Sequence, residues 1–319
     1  MGKPNIRLNP KVDSIRNRVL LKKALNLLLC CAMLLPPLSK KRRGRPPFDY
    51  RIVLVLSILR VLLRKRYSDY ETEMRTDKRL METFGMDQLP CKSTLNNYDL
   101  NVFTIKFLSK FNKKLIDAWI KKPVDLLLDA SGIRIIGKSI WFCIRTKQRI
   151  KRRECDKVHL AVSMWNLLIV NFRITKSRKN DSPLLRILLK PFSVLGLIIA
   201  DLGYSNKTNT LFVANKKGAF FCPFKSNVNP SGFNAWAYIY RLWNVFGLLC
   251  KRIYNKRSKV EAVFSVLKRR YGDQLYAKLW YSRRREMIMR FIAYNVRIIV
   301  AIQLARNLNV PLWIRAEKL

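Results

Sequence analysis

The chain has 319 residues and carries 64 Lys and Arg against 20 Asp and Glu, a formal charge of +44. Such self-repulsion calls for a polyanionic partner, DNA or RNA, while a hydrophobic share of 49% excludes a disordered basic tail. One histidine, His159, excludes a His-rich metal site, and seven cysteines with no CxxC pair exclude a disulfide framework and point to reduced thiols in the cytoplasm.

In chain order, residues 1–40 pattern as an amphipathic basic helix that Pro36 and Pro37 end. Its apolar run Leu27–Leu35 resembles a signal-peptide core. The run begins late, however, lacks a small-residue cleavage site and leads into Lys40-Lys41-Arg42-Arg43. It is also about half the length of a bilayer span, so a buried or partner-facing helix is expected and no membrane partner. Lys40–Pro47 then reads as an extended basic linker, in which Gly44 removes bulk and Pro46 keeps the backbone extended. Arg43 and Arg45 are therefore expected to reach a narrow minor groove of DNA, with a merely solvated linker as the alternative. These features bound a first region, residues 1–47.

From Phe48 to residue 122 the pattern is helical, with Ile52, Val55, Leu56, Leu59 and Leu62–Leu63 near a 3.6 period. Most of the chain's acids lie here, so these helices are not uniformly a DNA face. We expect a helical DNA-binding or assembly region. The character changes at Pro123. Val124–Asp129, Val158–Trp165, Leu168–Thr175, Leu195–Ala200 and Ala219–Phe224 are of strand length, the second and third joined tightly near Asn166 as a hairpin. Helices are expected at Pro183–Leu189, from Ser205, near Phe233–Leu249, at Arg257–Tyr271 and over Met287–Asn307. Residues 123–319 thus have an α/β order: a mixed sheet with flanking helices, after an all-α N-terminal part.

Between Ser182 and Gly272 only two carboxylates occur, Asp201 and Glu261, in a segment crowded with cations. Together with Asp129 they are the acids hardest to explain in a chain that binds polyanions. The simplest reason for them is to hold divalent metal beside a phosphodiester. Tyr254, Arg257, Glu261 and Lys268 are spaced by three, four and seven. On a helix they fall within roughly a 60° arc, flanked by the apolar set Val260, Val263, Phe264, Leu267 and Tyr271. An ordinary amphipathic helix with an Arg–Glu pair remains the alternative reading of that spacing.

Tyr254 to Lys268 resembles the Y-(2)-R-(3)-E-(6)-K pattern of the insertion-sequence DDE transposases, matching at all four positions. Ala200-Asp201-Leu202-Gly203-Tyr204 resembles that family's strand-end Asp-x-Gly-Tyr segment, and Leu127-Leu128-Asp129-Ala130-Ser131 its first motif. The likeness extends from about Arg45 to Asn307. It implies an RNase H-like core and a transposase that cleaves transposon ends and joins them to target DNA. Asp129, Asp201 and Glu261 would be the catalytic, metal-binding triad holding two Mg²⁺ ions, with Mn²⁺ as a possible substitute. Tyr254, Arg257 and Lys268 would contact the transposon end. The resemblance also implies double-stranded DNA as partner (terminal inverted repeats and target), a homo-oligomer on that DNA and a nucleoid-associated setting. Only 59 residues separate Asp201 from Glu261, which departs from relatives carrying a large β insertion there.

Other readings stay open at this point. Asp125 shares a strand face with Asp129 but lies farther from the sheet's open end. Asp181 reads as a helix cap, Asp156 as solvated and His159 as a structural residue, with orienting the site as its alternative role. Trp141, Trp165, Trp236 and Trp243 read as core, and the clusters 145–153, 176–179 and 283–285 as phosphate contacts. An RNase H-like nuclease without strand transfer, an inactive DNA-binding remnant and a basic RNA-binding protein are the competing functions.

Overall fold

The computed structural model describes residues 6–37, 47–135, 155–177 and 179–315. Arg43, Arg45, Trp141 and the basic cluster 145–153 lie outside the described residues. The chain groups into two compact units, one of residues 8–118 with 277–313, the other of residues 119–276 with the short chain-end segments.

After a short strand β1 (Ile6–Leu8), the helical unit opens with α1 (Pro10–Met33), where the Asn9 side chain accepts from the Lys11 N–H and Pro10 takes the first helical position. The apolar run expected to be buried or partner-facing is split: Leu28 and Ala32 are buried while Met33 and Leu34 are exposed. In α2 (Tyr50–Leu63) Asp49 supplies the cap and Val53–Leu59 are buried without a break, as befits a helix apolar on all sides. Helices α3 (Tyr67–Thr76), α4 (Lys78–Phe84), α5 (Lys92–Asn97) and α6 (Ile105–Ile116) follow.

The second unit is built on a sheet in the order β4-β3-β2-β5-β6. Its strands are β2 (Val124–Ile135), β3 (Cys155–Ser163), β4 (Ile169–Lys176), β5 (Leu195–Ala200) and β6 (Ala219–Phe221), with β7 (Gln274–Leu275) beside the far end of β2. The pairs β2–β3 and β3–β4 are antiparallel, whereas β5 and β6 run parallel to β2. This is the mixed, RNase H-like arrangement that the resemblance implies. Helices α7 (Ser182–Leu189) and α8 (Lys207–Asn215) supply one cover, with Leu185, Leu188, Leu189 and Val213 packed on Leu126, Leu128 and Ala200. Side chains alternate along a strand, so Leu127, Asp129 and Ser131 face the other way. After α9 (Ala235–Val245) and α10 (Gly247–Tyr254), α11 (Ser258–Tyr271) packs against β2 through its buried Val260, Val263, Phe264 and Leu267. Gly272, at φ 88°, ends α11 in a conformation that side chains resist.

The last helix, α12 (Trp280–Asn307), packs with α1, α2 and α6, before a strand β8 (Trp313–Arg315) that pairs with β1. It has the length and hydropathy of a membrane span, yet 94% of its most apolar window is buried inside the protein, as in a core helix. A charged cluster also lies within the helical unit. Asp99 accepts from the Tyr67 hydroxyl at 2.6 Å and pairs with Arg60 at 3.4 Å, whose guanidinium lies 3.8 Å above the Tyr67 ring. Burial pushes the Asp99 carboxyl upward against the pull of Arg60 and Tyr67. Arg60→Met strands that carboxylate and is expected to cost about 3–5 kcal/mol, while the Arg60→Met/Asp99→Leu double variant recovers most of the loss. Urea unfolding of the two variants checks this; equal losses in both would show that the pair does not act as a unit.

Candidate active site

The register of the central strands decides where the acids lie. Leu126, Leu127 and Leu128 of β2 pair with Ile198, Ile199 and Ala200 of β5, so the next rung carries Asp129 and Asp201 at the point where β5 stops. Asp129 does not end its own strand, as its motif suggested. β2 continues to Ile135 because β3 pairs with it as far as Arg134 and β7 takes over the side that β5 leaves. Asp201 heads the 3-10 turn Leu202–Tyr204, and the Tyr204 N–H donates to its carbonyl at 2.9 Å. The Cys222 thiol, which burial pushes up to about 12 and so keeps protonated, donates to the same carbonyl at 3.1 Å.

Glu261 lies in the first turn of α11, and Arg257 in the 3-10 turn Asn255–Arg257 just before it. Tyr254 ends α10, so the expected four-residue stripe crosses a helix boundary rather than lying on one helix. The structure nevertheless brings the group together. The Arg257 guanidinium stands 2.7 Å from Glu261 Oε1, 3.5 Å from Asp129 Oδ1 and 4.0 Å from Asp201 Oδ1. Tyr254 donates its hydroxyl to Asp201 Oδ1 at 3.2 Å, and the Arg257 guanidinium lies 5.7 Å from the Tyr254 ring. Lys268 stands apart from this knot: it donates to Ser131 Oγ at 2.7 Å, two residues beyond Asp129 on the same strand face.

Burial is the main reason that the Asp129 carboxyl is pushed up to about 6. The Ala130 N–H and Arg257 pull it down, and the charges of Asp201 and Glu261 push it further up. Arg257 is held firmly charged: burial alone would lower it, but Tyr254 and the three acids outweigh that. Burial likewise pushes the Tyr254 hydroxyl up to about 12, so it remains a donor.

Three carboxylates on one guanidinium are the donor type that a hard divalent ion takes, with no soft or imidazole ligand among them. Among the described residues no three such groups already close around an ion-sized space; the cation they share here is Arg257. The donor set fits Mg²⁺ in kind.

Rival acids have other work. Asp125 accepts from the Leu197 N–H at 2.6 Å and the Trp165 indole at 2.8 Å, at the bulge where the β2–β5 register shifts. Trp165, in the turn between β3 and β4, is exposed rather than core, and its indole N–H is held by the Asp125 carboxylate of β2. Asp181 makes no side-chain cap for α7 and pairs instead with Lys157 at 2.5 Å. Asp156 is buried in β3 rather than solvated. The interval between Asp201 and Glu261 is occupied mainly by α8, α9 and α10 with the short β6. Sequence reasoning left Ser131, Cys222 and Tyr204 without roles, although the first and last stand inside the two strand motifs that it singled out.

The raised Asp129 carboxyl has a sign that can be checked without DNA. Folded, it holds its proton more tightly than when unfolded, so its contribution to stability is full below about pH 4 and is lost as pH rises through about 6. Asp129→Asn removes that loss. The metal-free variant is expected to gain about 2–3 kcal/mol on wild type between about pH 4 and pH 7.5 in urea unfolding. A difference that does not change with pH would contradict the assignment.

Residues 120–296, more than half of the chain, match the family described as the transposase DDE domain. A cryo-EM structure of piggyBac transposase in a synaptic complex with hairpin DNA is similar over 92% of this chain and 74% of its own, at 10% identity and a TM-score of 0.42. A likeness that distant carries no argument. No curated protein matches the sequence. The family match spans β2 with Asp129, the turn with Asp201 and α11 with Glu261, and it is on this match that the chain belongs to the transposase DDE-domain family.

Proposed function

We propose that this transposase cleaves transposon ends by metal-dependent phosphodiester hydrolysis and joins the freed 3′-hydroxyl to target DNA. The observation that carries the reading is the convergence of Asp129, Asp201 and Glu261 on one guanidinium, within the segment that matches the DDE family. Asp129 would hold both of two Mg²⁺ ions, Asp201 one and Glu261 the other, and these ions would supply Lewis-acid charge at the attacking and leaving oxygens.

The chain's own residues do the rest. Asp129, partly withdrawn from water, presents its carboxylate from a strand that β3 pairs at Asp129 itself and β5 pairs up to Leu128, so its position is set before substrate arrives. Arg257 neutralises the acids in the free protein and has the planar fork that grips a phosphate with two parallel hydrogen bonds. Lys268, two rungs along β2 from the acids, offers a point charge to the neighbouring phosphate, and Tyr254 a hydroxyl and a ring face beside Asp201. Arg43 and Arg45 are assigned to the minor groove. Residues 1–47 serve as a basic arm, residues 48–122 as the DNA-binding or assembly region and residues 123–319 as the catalytic part. Two DNA ends must meet in one reaction, so the working form is a homo-oligomer on DNA. The setting is the cytoplasm of a prokaryote, at the nucleoid.

The test is cleavage and joining of a duplex made from the DNA that brackets the reading frame. Alanine at Asp129, Asp201 or Glu261 should lower strand cleavage in Mg²⁺ at least a thousandfold, roughly the loss of one main electrostatic contributor. DNA binding should persist in all three. Lys268→Ala should weaken binding and flatten its salt dependence by about one counterion. Cleavage that survives loss of any one acid would sink the reading, and cleavage without joining would leave a nuclease.

A further inference from the structure

The side chain of Asp201 is aimed at the site, but its turn is fastened from the other face of the sheet. Tyr204, three residues on, is 1% exposed and packs in the core formed by Leu128, Ala161, Leu185 and Ala200. Its hydroxyl meets His159 Nδ1 at 3.1 Å. His159 is fully buried on β3, opposite Ala130, and so lies on the sheet face away from Asp129. Its other nitrogen meets Thr175 Oγ1 on β4 at 3.1 Å. Asp181 Oδ1 stands 3.5 Å from His159 Nδ1 and 2.5 Å from Lys157 Nζ. Burial keeps the imidazole neutral, so one ring nitrogen donates and the other accepts, and the two hydroxyls can meet either need.

The turn is closed around this anchor. A Cβ at Gly203 would come within 3.1 Å of Asp181 Oδ2, so the glycine lets the turn press against that carboxylate. The Asn209 amide donates to the Tyr204 carbonyl at 2.9 Å and to the Ser182 carbonyl at 2.9 Å, tying the turn to the start of α7. The Tyr204 N–H meanwhile holds the Asp201 carbonyl. A short chain of bonds therefore runs from the rigid β3–β4 hairpin through His159 and Tyr204 to the backbone of Asp201.

We propose that His159 and Tyr204 are positioning residues for Asp201: their hydrogen bond, made on the far face of the sheet, fixes the turn that sets the Asp201 carboxylate beside Asp129. Neither touches DNA or metal. The proposal rests on the reading of Asp201 as a metal ligand. Losing the bond leaves the turn pivoting on its short backbone contacts, and outer-shell partners of this kind typically alter metal affinity about 10–100-fold.

The experiment is a titration of the full chain with Mn²⁺ alone, read by the Mn²⁺ spin-resonance signal, with thermal unfolding recorded in parallel. Tyr204→Phe removes one oxygen and keeps the buried ring; it is expected to weaken Mn²⁺ binding about tenfold or more. His159→Leu should do the same, and His159→Asn, which keeps a polar atom near the Nδ1 position, should restore much of the affinity. Val213→Ala, a cavity in the same core that removes none of the turn's hydrogen bonds, should lower the melting temperature and leave Mn²⁺ binding unchanged. If His159→Leu does not fold, Tyr204→Phe decides. Unchanged affinity in Tyr204→Phe, with a loss in Asp201→Asn, overturns the proposal and leaves the Asp201 reading standing. An equal loss in Val213→Ala overturns it too, by tracing the effect to general loosening. A wild-type chain that binds no Mn²⁺, or an Asp201→Asn chain that binds it as well as wild type, removes Asp201 as a ligand and the proposal with it.

Discussion

Three carboxylates held within reach of one another repel, and in this fold the Arg257 guanidinium, which reaches all three, offsets that repulsion. Arg257 lies 2.7 to 4.0 Å from Glu261, Asp129 and Asp201, on the lip of the helix that carries the glutamate. The many other cations of the chain cannot substitute for it, because the benefit of a charge falls with distance and is screened beyond about 10 Å of salt solution. The cost is visible at Asp129, whose carboxyl is pushed up by burial and by its two acidic neighbours despite the guanidinium. Such a group of acids is held together by the backbone around it rather than by its own contacts.

That backbone is the sheet. Parallel pairing of β2 with β5 sets Asp129 and Asp201 side by side on the rung after Leu128 and Ala200, and the bulge beside Asp125 sets the register that makes them neighbours. Because β5 stops where β2 continues, the acids sit at an edge open on one side and walled by β3 on the other. The two faces of β2 then divide the work. Leu126 and Leu128 carry the core under α7 and α8, while Asp129 and Ser131 face α11, whose apolar stripe brings Glu261 and Lys268 to the same strand. The pleat of a strand, with its period of two, keeps burial and chemistry on opposite sides of one element.

Much of this was legible in the residues, for reasons that can be named. Asp129 ends a run of apolar residues too short for a helix, and the stripe Val260, Val263, Phe264, Leu267 and Tyr271 has helical spacing, so both elements follow from hydrophobic period. What escaped depends on partners far off in sequence. The continuation of β2 beyond Asp129 is set by β3 and β7, which no local pattern names. Asp181 stands before a helix as a cap would, but Lys157 on β3 outbids the cap with a charge at 2.5 Å. Trp165 has apolar neighbours in sequence and yet lies on the surface, because the Asp125 carboxylate holds its indole N–H at a turn.

The bookkeeping of charge also separates two properties of the protein. Away from the site several acids are met by their own cations: Asp49 by Arg51, Glu71 by Arg75, Asp99 by Arg60 and Asp181 by Lys157. At the site three acids share the Arg257 guanidinium. A phosphate backbone is therefore drawn to the chain as a whole by a surplus of 44 positive charges, yet meets local repulsion where the acids converge. Attraction over the wide surface and chemistry at the small acidic patch rest on different side chains. The patch accepts a phosphodiester only if further positive charge enters with it, and carboxylate oxygens of this kind are what such charge would bind.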